Sequence, residues 1–205
     1  MTRRRSSYRS LASLERDLRV CRACAEAGYR IESPPVLAPG SGRRAYMLGQ
    51  APGIVEGEER RPWRGRAGRT LRRWLELADD DFYATFYCAS VTRCYPGKAA
   101  SGRGDRKPSP EEQRLCGFWS HWERAILRPR LVVPVGGLAV QHILGIRSVG
   151  EVVGSRYELD GGAVAIPLPH PSGASSWLNS QANRERVAQA VELIRAELGR
   201  PASPA

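Results

Sequence analysis

The apolar run Ala45, Tyr46, Met47 and Leu48 leads straight into Gly49, Gln50, Ala51, Pro52 and Gly53. The run reads as a strand, and the glycines and proline behind it force the chain out of a sheet. Charged and turn-forming residues continue through Glu56, Arg61, Pro62, Trp63, Gly65, Arg66 and Gly68. From Thr70 to Leu77 apolar residues return at helical spacing. Strand, long polar loop and helix in that order predict an α/β fold, whose ligands bind at loops on the carboxyl ends of the strands. Pro62 and Trp63 set a rigid residue beside a flat aromatic, a pair suited to stacking on a nucleobase. A tryptophan packed on the core is the competing reading.

Further strands are expected at residues 86–92, 131–135 and 163–168, rich in β-branched and aromatic residues. Residues 151–159 read as a hairpin arm, turned by Asp160, Gly161 and Gly162. Helices are expected over 11–20, after Ser109 and Pro110 with Glu111 and Glu112 in the first turn, over 138–144 and over 183–198. The three aspartates at 79–81 read as a break, and 97–107 as a flexible basic loop. The last strand delivers Pro169, His170, Pro171, Ser172 and Gly173 to the same sheet edge as the first loop.

At 205 residues the chain suits one domain. Its formal net charge of +11, carried mostly by arginine, points to a polyanion such as nucleic acid. No apolar run approaches the roughly 20 residues of a membrane helix. The first residues, Met1, Thr2, Arg3, Arg4 and Arg5, show no signal core, so a cytoplasmic, nucleoid-associated protein is expected. Residues 1–10 read as a mobile part of a basic segment spanning 1–17, ahead of a domain over 18–198 and a tail over 199–205.

Five cysteines in a reducing compartment argue for a metal centre. Cys21 and Cys24 form a Cys-x-x-Cys pair; Cys94 follows a strand and Cys116 lies in a helix. Four thiolates suit either zinc or a 4Fe-4S cluster, and spacing alone does not choose. Cys88, inside a strand, reads as a small buried apolar residue. At the shared sheet edge, Gln50, Glu56, Trp63, Ser90 and His170 offer a water-orienting group, a carboxylate, a stacking face, a base-edge contact and a donor to an oxyanion.

The order Gly-x-Ala-Pro-Gly, Pro-aromatic-x-Gly-x-Ala-Gly, strand-x-x-Cys-x-Pro and His-Pro-Ser resembles the uracil-DNA glycosylase superfamily, and most of all its iron–sulfur branch, families 4 and 5. The resemblance covers roughly residues 18–195. It implies a three-layer αβα sandwich with a central four-stranded parallel sheet, and hydrolysis of the N-glycosidic bond of a flipped base in DNA. It implies catalytic roles for His170, Glu56 and Gln50. It puts Gly49, Gln50, Ala51, Trp63, Ser90 and His170 around the base. Pro171, Ser172, Gly173, Trp177 and Leu178 would meet DNA, with Trp177 or Leu178 as the wedge that fills the vacated stack. Cys21, Cys24, Cys94 and Cys116 would hold the cluster, and the protein is expected to be a monomer.

Two positions depart from the family pattern. Gln50 stands where a glutamate is usual, and Ser90 where an asparagine reads the uracil edge. A hydroxyl lacks the paired donor and acceptor of an amide, which opens hypoxanthine or xanthine as substrates, or a weak or inactive DNA-binding protein of the same fold.

Overall fold

The computed structural model describes residues 4–38, 42, 44–102, 104–173 and 176–199. The expected tail from 200 onward, and 174–175 in the loop after Ser172, lie outside the described residues.

The sheet has the order β2-β1-β3-β5-β4, from β1 (Ala45–Gly49), β2 (Phe86–Ser90), β3 (Leu131–Pro134), β4 (Tyr157–Glu158) and β5 (Val164–Ala165). The four strands expected from sequence pair in parallel. The count of four is corrected to five: the expected hairpin arm contributes β4, which pairs antiparallel with β5 and caps the edge. β4 is only two residues long because α8 (Val149–Val152) takes up the start of the arm.

Both faces of the central strands are covered, as a parallel sheet requires. All five residues of β1 are buried. Met47, Cys88 and Val133 face a layer formed by α4 (Arg66–Leu75), α5 (Asp79–Thr85) and α9 (Gln181–Gly199), through Leu71, Phe82 and Ile194. Tyr46, Leu48 and Val132 face α1 (Leu11–Arg19), α6 (Pro110–Leu127) and α7 (Gly137–Leu144), through Leu14, Trp119 and Leu138. These are the three layers the resemblance implies.

α6 starts on a capping box, in which Ser109 Oγ accepts from the Glu112 N–H and the Glu112 carboxylate accepts from the Ser109 N–H. The aspartates at 79–81 open α5, where acids in the first turn suit the positive helix end. Residues 4–10, expected to be mobile, instead pack onto the domain. Tyr8 is buried, and its hydroxyl donates to Asp17, which also pairs with Arg5.

Between the layers, Glu123 of α6 is fully buried. It accepts from Tyr46 at 2.8 Å and Tyr87 at 3.2 Å, and pairs with buried Arg93. Burial works against the Arg93 charge, but Glu123 overcomes it and the arginine stays firmly protonated. This network ties α6 to β1, β2 and the segment after β2.

Candidate active site and cysteine cavity

The loops after β1, β2 and β5 enclose a cavity of about 620 Å³ at the carboxyl ends of the strands. Gly49, Gln50, Ala51, Glu56, Trp63, Ser90, His170 and Ser172 all line it. One site therefore gathers the residues expected around the base and in catalysis.

The first loop contains a helix where a long irregular stretch was expected. α3 (Ile54–Glu59) begins after Gly53, and Gly57 and three glutamates had masked its pattern. Glu56 organises the loop. One carboxylate oxygen accepts from the Gly53 N–H at 3.1 Å and the other from the Gly65 N–H at 2.7 Å. The two ends of the loop are thereby held around a fixed negative charge.

Trp63 is both wall and core: it is 8 % exposed, packs in the main core cluster and lines the cavity. Its backbone is left-handed, with φ 60°, a conformation costly for a bulky residue. The Trp63 carbonyl accepts from Arg72 at 2.9 Å, which helps hold that turn. Two motif glycines leave room for it. A Cβ on Gly49 would stand 2.9 Å from the indole, and one on Gly68 only 1.7 Å from the Trp63 carbonyl oxygen.

β2 delivers Ser90, whose hydroxyl donates to the Thr92 carbonyl at 2.7 Å. With its proton so engaged, Ser90 can offer only acceptor lone pairs to a base. The ladder runs on past the strands: the Val91 N–H donates to Gly49 and the Thr92 N–H to Gln50, so both first loops leave the sheet in register.

His170 stands at the rim. The Ser172 N–H donates to its Nδ1 at 3.4 Å, and Ser172 Oγ lies 2.9 Å from the same nitrogen. A backbone donor at Nδ1 assigns the ring proton to Nε2. Desolvation by the surrounding wall lowers the imidazole pKa, against the opposing pull of Glu56 and Asp105. The neutral, donating ring is therefore the resting form at neutral pH.

Trp177 and Leu178 lie on a 3₁₀ turn (Ser176–Asn179), partly buried against the core and outside the cavity wall. Pro171 is buried and Gly173 exposed. Sequence reasoning passed over Arg66 and Asp105, both on the cavity wall. A Cβ on Gly173 would lie 3.7 Å from the Arg66 guanidinium, which puts that cation beside the His-Pro-Ser turn. Its place within the Pro-aromatic-x-Gly-x-Ala-Gly motif was the available signal; Asp105 gave none inside a basic loop.

A second cavity, of about 520 Å³, is lined by Cys21, Cys24, Cys94 and Cys116 together. Cys88 stands apart, buried in the sheet. Burial and neighbouring acidic groups push Cys24 up to about 11, burial pushes Cys116 up to about 12, and burial and the adjacent thiols push Cys94 higher still. Thr92 and Arg93 share the cavity wall, and Thr92 Oγ1 and Arg93 Nε are buried polar atoms without a partner. The Arg93 N–H donates to Cys116 Sγ at 3.3 Å. Four clustered thiols with orphaned donors around them fit an anionic, sulfur-rich group. Among the described residues no three His, Cys, Asp or Glu side chains form a group that could hold a metal ion.

With this geometry in view, the sequence model of the uracil DNA glycosylase superfamily matches residues 38–194. The chain belongs to that superfamily. It is similar to a type-4 uracil-DNA glycosylase of Thermotoga maritima, 30% identical over 131 residues, or 63% of this chain and 65% of the relative. It thus spans slightly less than two thirds of that relative's length. A type-4 enzyme of Archaeoglobus fulgidus is 28% identical over 166 residues, 74% of each chain. One of Sulfurisphaera tokodaii is 24% identical over 180 residues, 80% of this chain and 76% of the relative.

Proposed function

We propose that this protein is a monofunctional uracil-DNA glycosylase of base excision repair, hydrolysing the N-glycosidic bond of a uracil flipped out of DNA. The observation that carries the reading is the single cavity shared by Trp63, Ser90, Gln50, Glu56 and His170. The base stacks on the Trp63 indole, with Gly49 and Ala51 beneath it and Ser90 accepting from the N–H of its edge. As the C1′–N bond breaks, negative charge gathers on the uracil carbonyl oxygen, where the His170 Nε2–H donates. Glu56, fixed by two backbone N–H groups, keeps a negative charge on the wall as positive charge develops on the sugar. Gln50 orients water, since its amide cannot take a proton.

Ser172, Gly173 and Arg66 line the path of the DNA backbone beside His170, with Pro171 shaping the turn. The Trp177–Leu178 turn is the wedge, and its partly buried side chains swing outward when the base leaves the stack. Cys21, Cys24, Cys94 and Cys116 hold a 4Fe-4S cluster, in preference to zinc. When bound, it cross-links the start of the chain to the body and brings electron-transfer capacity. The protein acts as a monomer on DNA in the cytoplasm, at the nucleoid. Among the described residues no helix is long and apolar enough to cross a membrane.

The test is base release from single- and double-stranded oligonucleotides carrying uracil, hypoxanthine or xanthine. Uracil is released by the wild type, and His170→Ala slows release about 10²–10³-fold with DNA affinity retained. Release of a purine alone would reassign the substrate through Ser90. DNA binding with no release would make the protein a non-catalytic member of the superfamily.

A further inference from the structure

Hydrolysis needs a group to receive the proton of the attacking water, and among the described residues only Glu56 and Asp105 bring carboxylates to the cavity wall. Glu56 has both oxygens accepting backbone N–H groups across the loop. Its geometry is that of a brace, and moving a proton onto it would weaken two contacts that hold the wall together.

Asp105 is placed differently. Residues 97–102 and 104–106 form the two arms of a small hairpin in place of the flexible loop expected. Lys98 and Asp105 form an antiparallel bridge, the Ala99 N–H donates to Gly104, and the Arg106 N–H donates to Gly97. The hairpin returns Asp105 to the sheet edge. There its Oδ1 accepts from the Tyr95 hydroxyl and from Lys98 Nζ, each at 3.2 Å. Tyr95 is itself buried, so one oxygen is anchored to the body of the domain. The other oxygen, Oδ2, turns toward the first loop, 3.3 Å from where a Cβ on Gly53 would stand. Asp105 is also close enough to raise the pKa of His170 across the cavity. One oxygen fixed and one presented to the site is the arrangement of a positioned base.

We infer that Asp105 is the carboxylate that activates water in this site. The inference rests on the glycosylase reading. As the C1′–N bond breaks, its electron pair leaves with uracil, whose carbonyl oxygen accepts from His170. Water oxygen bonds to C1′, and the water proton passes to Asp105 Oδ2. That proton then leaves with the uracil anion or to solvent, and an abasic sugar bearing a C1′ hydroxyl remains. The assignment accounts for a working site despite Gln50, because the carboxylate enters from the loop after β2 instead of the loop after β1.

The experiment is single-turnover uracil release by full-length Asp105→Asn and Asp105→Gly, with duplex affinity and thermal unfolding measured alongside. Asp105→Asn is expected to slow release by about 10² or more while DNA affinity stays within about twofold. Added formate, a small carboxylate, is expected to restore part of the rate to Asp105→Gly and none to Glu56→Gln. A rate within about threefold of wild type for Asp105→Asn overturns the inference. So does a loss matched by an equal loss of unfolding temperature with no formate rescue, which would make Asp105 a brace for Tyr95 and Lys98. Failure of the wild type to release uracil would instead bring down the glycosylase reading itself.

Discussion

In the base cavity three of the polar side chains are already engaged with the backbone. Glu56 accepts two amides, Ser90 donates to Thr92, and His170 receives the Ser172 N–H. In the cysteine cavity, some of the same stretch of chain carries unspent groups. Thr92 Oγ1 and Arg93 Nε have no partner, and four thiols face one space. The first cavity is organised before any ligand arrives, as electrostatic catalysis requires. The second leaves two buried polar atoms of its wall residues without partners, at a cost of about 1–3 kcal/mol each.

The contrast is most exposed to a change at Cys116. Cys116→Ala is expected to lose any visible absorbance and to lower stability by more than about 4 kcal/mol, the range reserved for lost metal centres and comparable defects. A colourless wild type, or a variant that unfolds at the wild-type temperature, would remove the distinction between the cavities. Gly49→Ala tests the prepared side. The added methyl meets the Trp63 ring at 2.9 Å. A cost of about 1–3 kcal/mol in unfolding is expected, with the half-saturating DNA concentration rising more than the maximal rate falls. An unaffected variant would show that the indole is not held against the first loop.

The smallest effect sharpens the comparison at a single proton. Burial lowers the His170 pKa and Glu56 raises it. An NMR titration should therefore find the His170 midpoint below the ordinary value of about 6.5, and Glu56→Gln should push it lower still. The unfolded chain then binds this proton more readily than the folded one. Stability should fall as pH drops from the ordinary histidine range toward the folded midpoint. A midpoint above the ordinary value in the wild type would contradict the prepared, neutral donor.

Much of this was legible from residue order. Three of the four parallel strands announced themselves as apolar runs ended by glycine or proline, the stretch 86–92 around β2 by its β-branched and aromatic residues, and Ser109-Pro110 marked the start of α6. The cysteines and the polar residues of the cavity stood out because their chemistry is rare. Short elements escaped. α3 hid behind Gly57, whose low helix propensity is overridden by the Glu56 brace to the Gly53 N-cap. The aspartates at 79–81 read as a break, although acids favour a helix start. Asp105 was hidden because its position depends on a bridge to Lys98 and on the Tyr95 hydroxyl, neither of which leaves a local pattern. The pairing of Ser90 with a carbonyl two residues on was equally silent in sequence.

The packing of Trp63 against Gly49 and Gly68 also bears on how such a wall can change over generations. Position 68 tolerates no side chain while the Trp63 carbonyl stays where it is, and a side chain at position 49 is costly while the ring is an indole. A shorter aromatic at 63 would release position 49 and leave position 68 bound, since the latter meets backbone. Substitutions along this wall therefore have an order, ring first and strand-end glycine second. A lineage taking the steps in reverse would pass through a damaged intermediate.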